Sequence, residues 1–221
     1  MDTKRLGIFG GTFDPPHVGH LILAAEARDQ LDLDCTIWVL TPDPPHKRGQ
    51  NISPLPQRLR MVELAVGEDA GFRLSHVDIE RPGPHYSLDT VAILKEQFPN
   101  RELFYLMGGD SLHDLHNWYR VHDFLGLLDG IGVMRRPGDD VDLSEILRTL
   151  PELKEKLNFV TAPLLEISAQ QIRRRAKEKR AFRYYLLPSI YHYIHKEKIY
   201  QQQGELRMGE NLSCVKPSTK K

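Results

Sequence analysis

Apolar residues along the chain alternate between two textures. Short runs rich in β-branched and aromatic residues are bounded by polar or turn residues: Arg5 to Gly10 (RLGIFG), Cys35 to Thr41 (CTIWVLT), Phe72 to Ile79 (FRLSHVDI), Glu102 to Gly109 (ELFYLMGG), Gly130 to Arg136 (GIGVMRR) and, more weakly, Leu157 to Pro163 (LNFVTAP). These runs predict strands. Between them lie stretches of helical length, His20 to Leu31, Pro56 to Val66, Ser87 to Phe98 and Ser111 to Leu128. Strand and helix in alternation, with nearly continuous apolar strands, predict a doubly wound α/β fold: a parallel sheet covered by helices on both faces. In such a fold, ligands sit beyond the carboxyl ends of the strands, near the point where strand order reverses. No internal repeat or domain boundary interrupts the pattern. Residues 1–200 therefore read as a single domain, and the polar, aperiodic stretch 201–221 as a loosely ordered tail.

Composition narrows the function classes. The chain has 221 residues, 40% of them hydrophobic and 27% charged, enough to bury a core. Its 30 basic and 30 acidic side chains cancel, so no global field draws it onto nucleic acid or an anionic membrane. Any phosphate binding must be local. No apolar run approaches the roughly 20 residues of a membrane span, and the first residues lack the long apolar stretch of a signal peptide. Cys35 and Cys214 are too few and too far apart for a disulfide framework or a metal knuckle, which points to the cytoplasm.

The candidate chemistry is concentrated in GGTFDPPHVGH, Gly10 to His20, directly after the first strand. Gly10 and Gly11 allow a sharp turn and close approach of a ligand to the backbone. Asp14 before Pro15 and Pro16 predicts an N-cap with prolines in the first turn, leaving helix N–H groups and a partial positive charge facing the loop. His17 and His20, three apart, fall on one helix face within a turn of that end, which suits an anion. Zinc ligation fits poorly, because the helical zinc motif needs i, i+4 histidines with an adjacent Glu and no third ligand follows. Neither the Walker A spacing nor GxGxxG matches.

This stretch resembles the signature of nucleotidyltransferases marked by HxGH, and specifically their nicotinate-mononucleotide adenylyltransferase branch, over about Leu6 to Tyr200. The resemblance implies a Rossmann-like sheet. It also implies that His17 and His20 contact ATP phosphates, within an ATP-binding loop of Gly10, Gly11, Thr12 and Phe13. Lys47, in PDPPHKRG, matches a PHK segment that contacts the triphosphate. In ISAQQIRRR, Ser168, Ile172 and Arg173 match an ATP-binding pattern in which Gln170 replaces the usual Thr. On the acceptor side, Tyr86, Ser87 and Asp89 match a nicotinate-mononucleotide loop, with His85 and Ser87 as substitutions in it. Asp110 matches a nucleotide-contacting Asp, Trp118 and Tyr119 an aromatic wall for the pyridine ring, and Arg136 a ligand of the acceptor phosphate. His113, His116, His122, His192 and His195 are read as structural or exposed.

The implied reaction is adenylyl transfer from ATP to nicotinate mononucleotide, with Mg²⁺ carried in by ATP and no metal site of the protein's own. No Ser or Cys nucleophile with a partnered base is evident, and an acceptor phosphate is already an ionised nucleophile, so no covalent intermediate is expected. A sister enzyme acting on nicotinamide mononucleotide or phosphopantetheine, and a non-catalytic nucleotide sensor, share the same fold. A nucleic-acid-binding role lacks a continuous basic stripe. A monomer and a homo-oligomer are equally compatible with the sequence.

Overall fold

Successive strand residues face opposite sides of a sheet, and the apolar runs here are sorted by that rule into two cores. The structure, a computed structural model, describes residues 4–44, 49, 51–67, 69–134, 143–163 and 165–201. Strands β1 (Arg5–Gly11), β2 (Cys35–Leu40), β3 (Phe72–Ser75), β4 (Glu102–Gly108), β5 (Gly130–Met134) and β6 (Leu157–Val160) form one parallel sheet in the order β3-β2-β1-β4-β5-β6. Ile8, Ile37, Val39, Leu103 and Tyr105 enter one core, while Phe9, Trp38, Leu40, Phe104 and Leu106 enter the other.

The first core is closed by α3 (Ser87–Gln97) and α5 (Val121–Leu127) through Val91, Leu94, Phe124 and Leu125. The second is closed by α1 (Val18–Gln30) and α2 (Leu55–Val66) through Leu23, Ala24, Ala27 and Val62. Helices cover both faces, so the doubly wound expectation holds. A third cluster joins Met61 and Ala65 of α2 to α7 (Ala169–Lys177) and α8 (Pro188–Lys196) through Ile172, Ala176, Ile190 and Ile194. Strand order reverses between β1 and its neighbour β4, and the cleft above their carboxyl ends is where such folds bind ligands.

Several boundaries differ from the expectation. β3 ends at Ser75, because Ile79 and Glu80 turn back to donate to the His76 carbonyl. The Ser111 to Leu128 stretch is not one helix. A short α4 (Gly109–His113) and a 3-10 turn at Leu115–Asn117 precede an extended Trp118, and Arg120 is left-handed (φ 49°) before α5 begins. This break turns Trp118 onto Tyr105 and Phe124 while Tyr119 stays on the surface. α6 (Leu143–Thr149) and α8 were not anticipated as helices. The expected tail, from residue 202 onward, lies outside the described residues. Among those described, no helix is long and apolar enough to cross a membrane.

Candidate active site

β1 delivers its last residues to the cleft, and six more, bending at Asp14 and Pro15, follow before α1 starts. A residue preceding proline is disfavoured in the helical region. Asp14 and Pro15 both precede one, so the helix waits until His17, which is its N-cap (φ −142°, ψ 171°). The expected Asp14 cap is therefore corrected. Asp14 is 3% exposed, the Asp14–Pro15 bond is cis, and its carboxylate is taken by distant partners.

The glycines also act differently from the expectation. Gly10 and Gly11 remain in the strand, and the space a Cβ would occupy is filled from within the protein. A Cβ at Gly10 would lie 2.7 Å from the Tyr105 hydroxyl, and one at Gly11 would lie 2.8 Å from the Phe13 ring. Phe13 itself is left-handed (φ 45°) and packs edge-on against His20 and Phe9.

The two histidines are brought together more closely than helical spacing alone would give. Their rings stack at 3.7 Å between centroids and 21° between planes. The His17 backbone N–H donates to His20 Nδ1 at 3.1 Å. With Nδ1 accepting, a neutral His20 carries its proton on Nε2, a donor suited to a phosphate oxygen.

Behind this loop lies a buried guanidinium. Arg58 is 2% exposed, and burial pulls its pKa below the usual guanidinium value against the opposing charge of Asp14. It donates to four backbone carbonyls: Thr12 at 3.0 Å, Thr41 at 2.9 Å, Pro42 at 2.6 Å and Ser53 at 2.9 Å. One side chain thus ties the signature loop to the segment leaving β2. A sequence signal for it exists. Arg58, Met61, Val62 and Ala65 share one helical face, and all four are buried.

The remaining donor-side residues are partly assembled. Ser168 caps α7 as expected, accepting from the Gln171 N–H at 3.1 Å. Arg173 reaches the signature loop, its Nη1 donating to the Asp14 carbonyl at 2.6 Å. Ser168, Arg173 and Tyr200 line an open cleft of about 1340 Å³. Ile172 is wholly buried in the third cluster, so its side chain packs inside the protein and does not face the cleft. Lys47, and His46 beside it, lie outside the described residues.

On the acceptor side, Tyr86 is the N-cap of α3, Ser87 its first residue, and Asp89 in its first turn approaches Arg81 at 3.6 Å. The Ser87 hydroxyl is 3.1 Å from the Tyr105 hydroxyl, a buried phenol whose pKa burial pushes up to about 12. Tyr119, 49% exposed, stacks on Tyr86 at 4.3 Å between centroids. Trp118 is half-buried against Tyr105 and Phe124, so the exposed aromatic face is the Tyr86–Tyr119 pair. Asp110 is exposed in the first turn of α4. Arg136 lies outside the described residues. Among those described, no group of three or more His, Cys, Asp or Glu side chains is arranged to hold a metal ion.

Residues 8–175 match the cytidylyltransferase-like family model. The chain belongs to the cytidylyltransferase-like family. Among relatives in it, a probable nicotinate-nucleotide adenylyltransferase of Thermomicrobium roseum is 41% identical over 198 residues, covering 90% of this chain and 92% of the relative. The nicotinate-nucleotide adenylyltransferase of Bacillus subtilis is 38% identical over 199 residues, covering 90% and 99%. A solved Plasmodium falciparum nicotinic acid mononucleotide adenylyltransferase, complexed with NaAD, shares the fold of this family member. Its TM-score is 0.74 at 19% identity, over 89% of this chain and 97% of that one.

Proposed function

We propose that this enzyme transfers the adenylyl group of ATP to nicotinate mononucleotide, giving nicotinate adenine dinucleotide (deamido-NAD) and pyrophosphate, a step of NAD biosynthesis in the cytoplasm. The observation that carries the reading is the stacked His17–His20 pair at the start of α1, beside the sheet's reversal point, with His20 held as an Nε2–H donor. The names of relatives that match almost end to end support the choice of substrates.

The acceptor phosphate attacks the α-phosphorus of ATP directly, and pyrophosphate leaves in line. The protein's task is to hold two anions together and to neutralise the charge that develops on the phosphate oxygens. His17, His20, Lys47 and Arg173 are the groups we assign to that task, helped by the N-terminal N–H groups of α1. Gly10 and Gly11 end β1, Thr12 and Phe13 shape the loop after it, and Asp110 and Ser168 complete the ATP side, with Ile172 anchoring α7 from the buried interior. Magnesium enters as part of the MgATP substrate, and no protein ligand is assigned to it.

Tyr86 and Tyr119 offer a face to the pyridine ring, with Trp118 supporting it from behind. Ser87 and the α3 N-terminus favour an anionic ring substituent, Asp89 flanks them, and Arg136 is assigned to the acceptor phosphate. The test is pyrophosphate release from MgATP with nicotinate mononucleotide, nicotinamide mononucleotide and phosphopantetheine offered separately. A strong preference for the first is expected. Preference for another acceptor would overturn the acceptor pocket, and no release with any would favour a nucleotide-sensing role.

A further inference from the structure

The turn after α8 returns to the signature loop across 186 positions of sequence. The Tyr200 hydroxyl donates to Asp14 Oδ1 at 2.6 Å, and the Ser53 N–H donates to Asp14 Oδ2 at 3.0 Å. A buried carboxylate needs such partners, and an arginine is within reach: Arg173 Nη1 lies 4.0 Å from Asp14 Oδ2. Yet Arg173 spends its short hydrogen bond on the Asp14 backbone carbonyl, at 2.6 Å. Two donors thus share the carboxylate's charge, and the guanidinium rests on the loop carbonyl with Oδ2 at 4.0 Å instead of pairing with the acid at hydrogen-bond distance. Arg173 and Tyr200 line the same cleft.

We infer that Tyr200 is a positioning residue for Arg173: its hydrogen bond to Asp14 Oδ1 takes up part of the carboxylate's charge, which weakens the pull of Asp14 on the guanidinium and so keeps Arg173 for the phosphates of ATP. The contact is held at some backbone cost, since Lys198 (φ 53°) and Tyr200 (φ 66°) are both left-handed. Burial, with the nearby Asp14 charge, also raises the phenol well above its ordinary pKa, so it stays a donor. The inference rests on the reading of Arg173 as a ligand of ATP.

Steady-state kinetics on the full chain test it with Y200F, R173A and D14N alone and combined. Y200F removes the hydrogen bond to Asp14 Oδ1 and leaves the carboxylate's fuller charge to draw Arg173 onto it. Its KM for MgATP is expected to rise about tenfold, the scale of one charge-assisted hydrogen bond, while KM for the acceptor stays unchanged. In the R173A or D14N background, Y200F is expected to add nothing to KM for MgATP. A lower melting temperature with unchanged KM for MgATP, or an equal rise in the R173A background, would overturn the inference and leave Tyr200 purely structural. R173A alone separates the two levels, because an unchanged KM and kcat there would remove the phosphate role itself. Should Y200F be too unstable to assay alone, Y200F/D14N read against D14N carries the same comparison, with any added rise counting against it.

Discussion

Asp14 and Asp78 are both 3% exposed, both lie in loops beyond the carboxyl ends of strands, and each has an arginine beside it. Their partnerships differ. Asp78 pairs directly with Arg81 at 3.0 Å and accepts from the Thr90 hydroxyl at 2.8 Å. Arg81 spends its other donors on the Pro84 and Tyr86 carbonyls. That arginine is consumed in folding the acceptor-side loop. Asp14 is satisfied instead by a phenol and a backbone N–H, and Arg173 stands off at 4.0 Å. Two similar sequence ingredients thus give a structural staple in one loop and an available cation in the other. What separates them is which donors the fold sets at hydrogen-bond distance from the carboxylate.

The comparison predicts opposite failures. Arg81→Met leaves Asp78 buried without its cation and is expected to cost about 3–5 kcal/mol, read as a shift of the urea midpoint. At temperatures where it stays folded, KM for MgATP should not change. Arg173→Ala should do the reverse: turnover should fall about 10²–10³-fold, the scale of losing one preorganised donor at developing charge, with stability lowered by only about 1 kcal/mol. If Arg173→Ala proves mainly destabilising, the contrast between the two arginines collapses.

Two smaller effects sharpen the acceptor side. The buried Tyr105 titrates at about 12, whereas an unfolded phenol titrates near 10. Above about pH 10, the unfolded chain ionises this phenol and the folded chain does not, so stability present below pH 10 is lost as pH rises toward 12. Tyr105→Phe removes that contribution, at most about 2–3 kcal/mol. It should flatten the alkaline limb of a stability–pH curve measured by denaturant unfolding. Smallest is Tyr119→Ala, which removes a stacking face worth about 0.5–1.5 kcal/mol. It is expected to raise KM for nicotinate mononucleotide a few-fold and to leave KM for MgATP alone.

The sequence was legible wherever one stretch held its own explanation. The nearly continuous apolar runs CTIWVLT and ELFYLMGG marked the strands, and in the structure each residue's parity assigns it to one of the two cores. His17 and His20 were legible because residues three apart on a helix start must meet. Arg58 was readable from its helical phase with Met61 and Ala65, but the usual exposure of arginine argues against burying it. Asp14 misled, because its residue type suits a cap while the two prolines after it delay the helix. Tyr200 gave no local signal, because its partner lies 186 positions away.

The Tyr200–Asp14 bond also has a temporal side. Synthesis runs from the amino end, so the signature histidines leave the ribosome long before residue 200 does. A nascent chain lacking that last turn already holds all six strands, yet its Asp14 carboxylate faces Arg173 without the phenol's hydrogen bond. Adenylyl transfer at full strength would therefore begin only after almost the whole described chain has emerged, a natural delay between folding and activity.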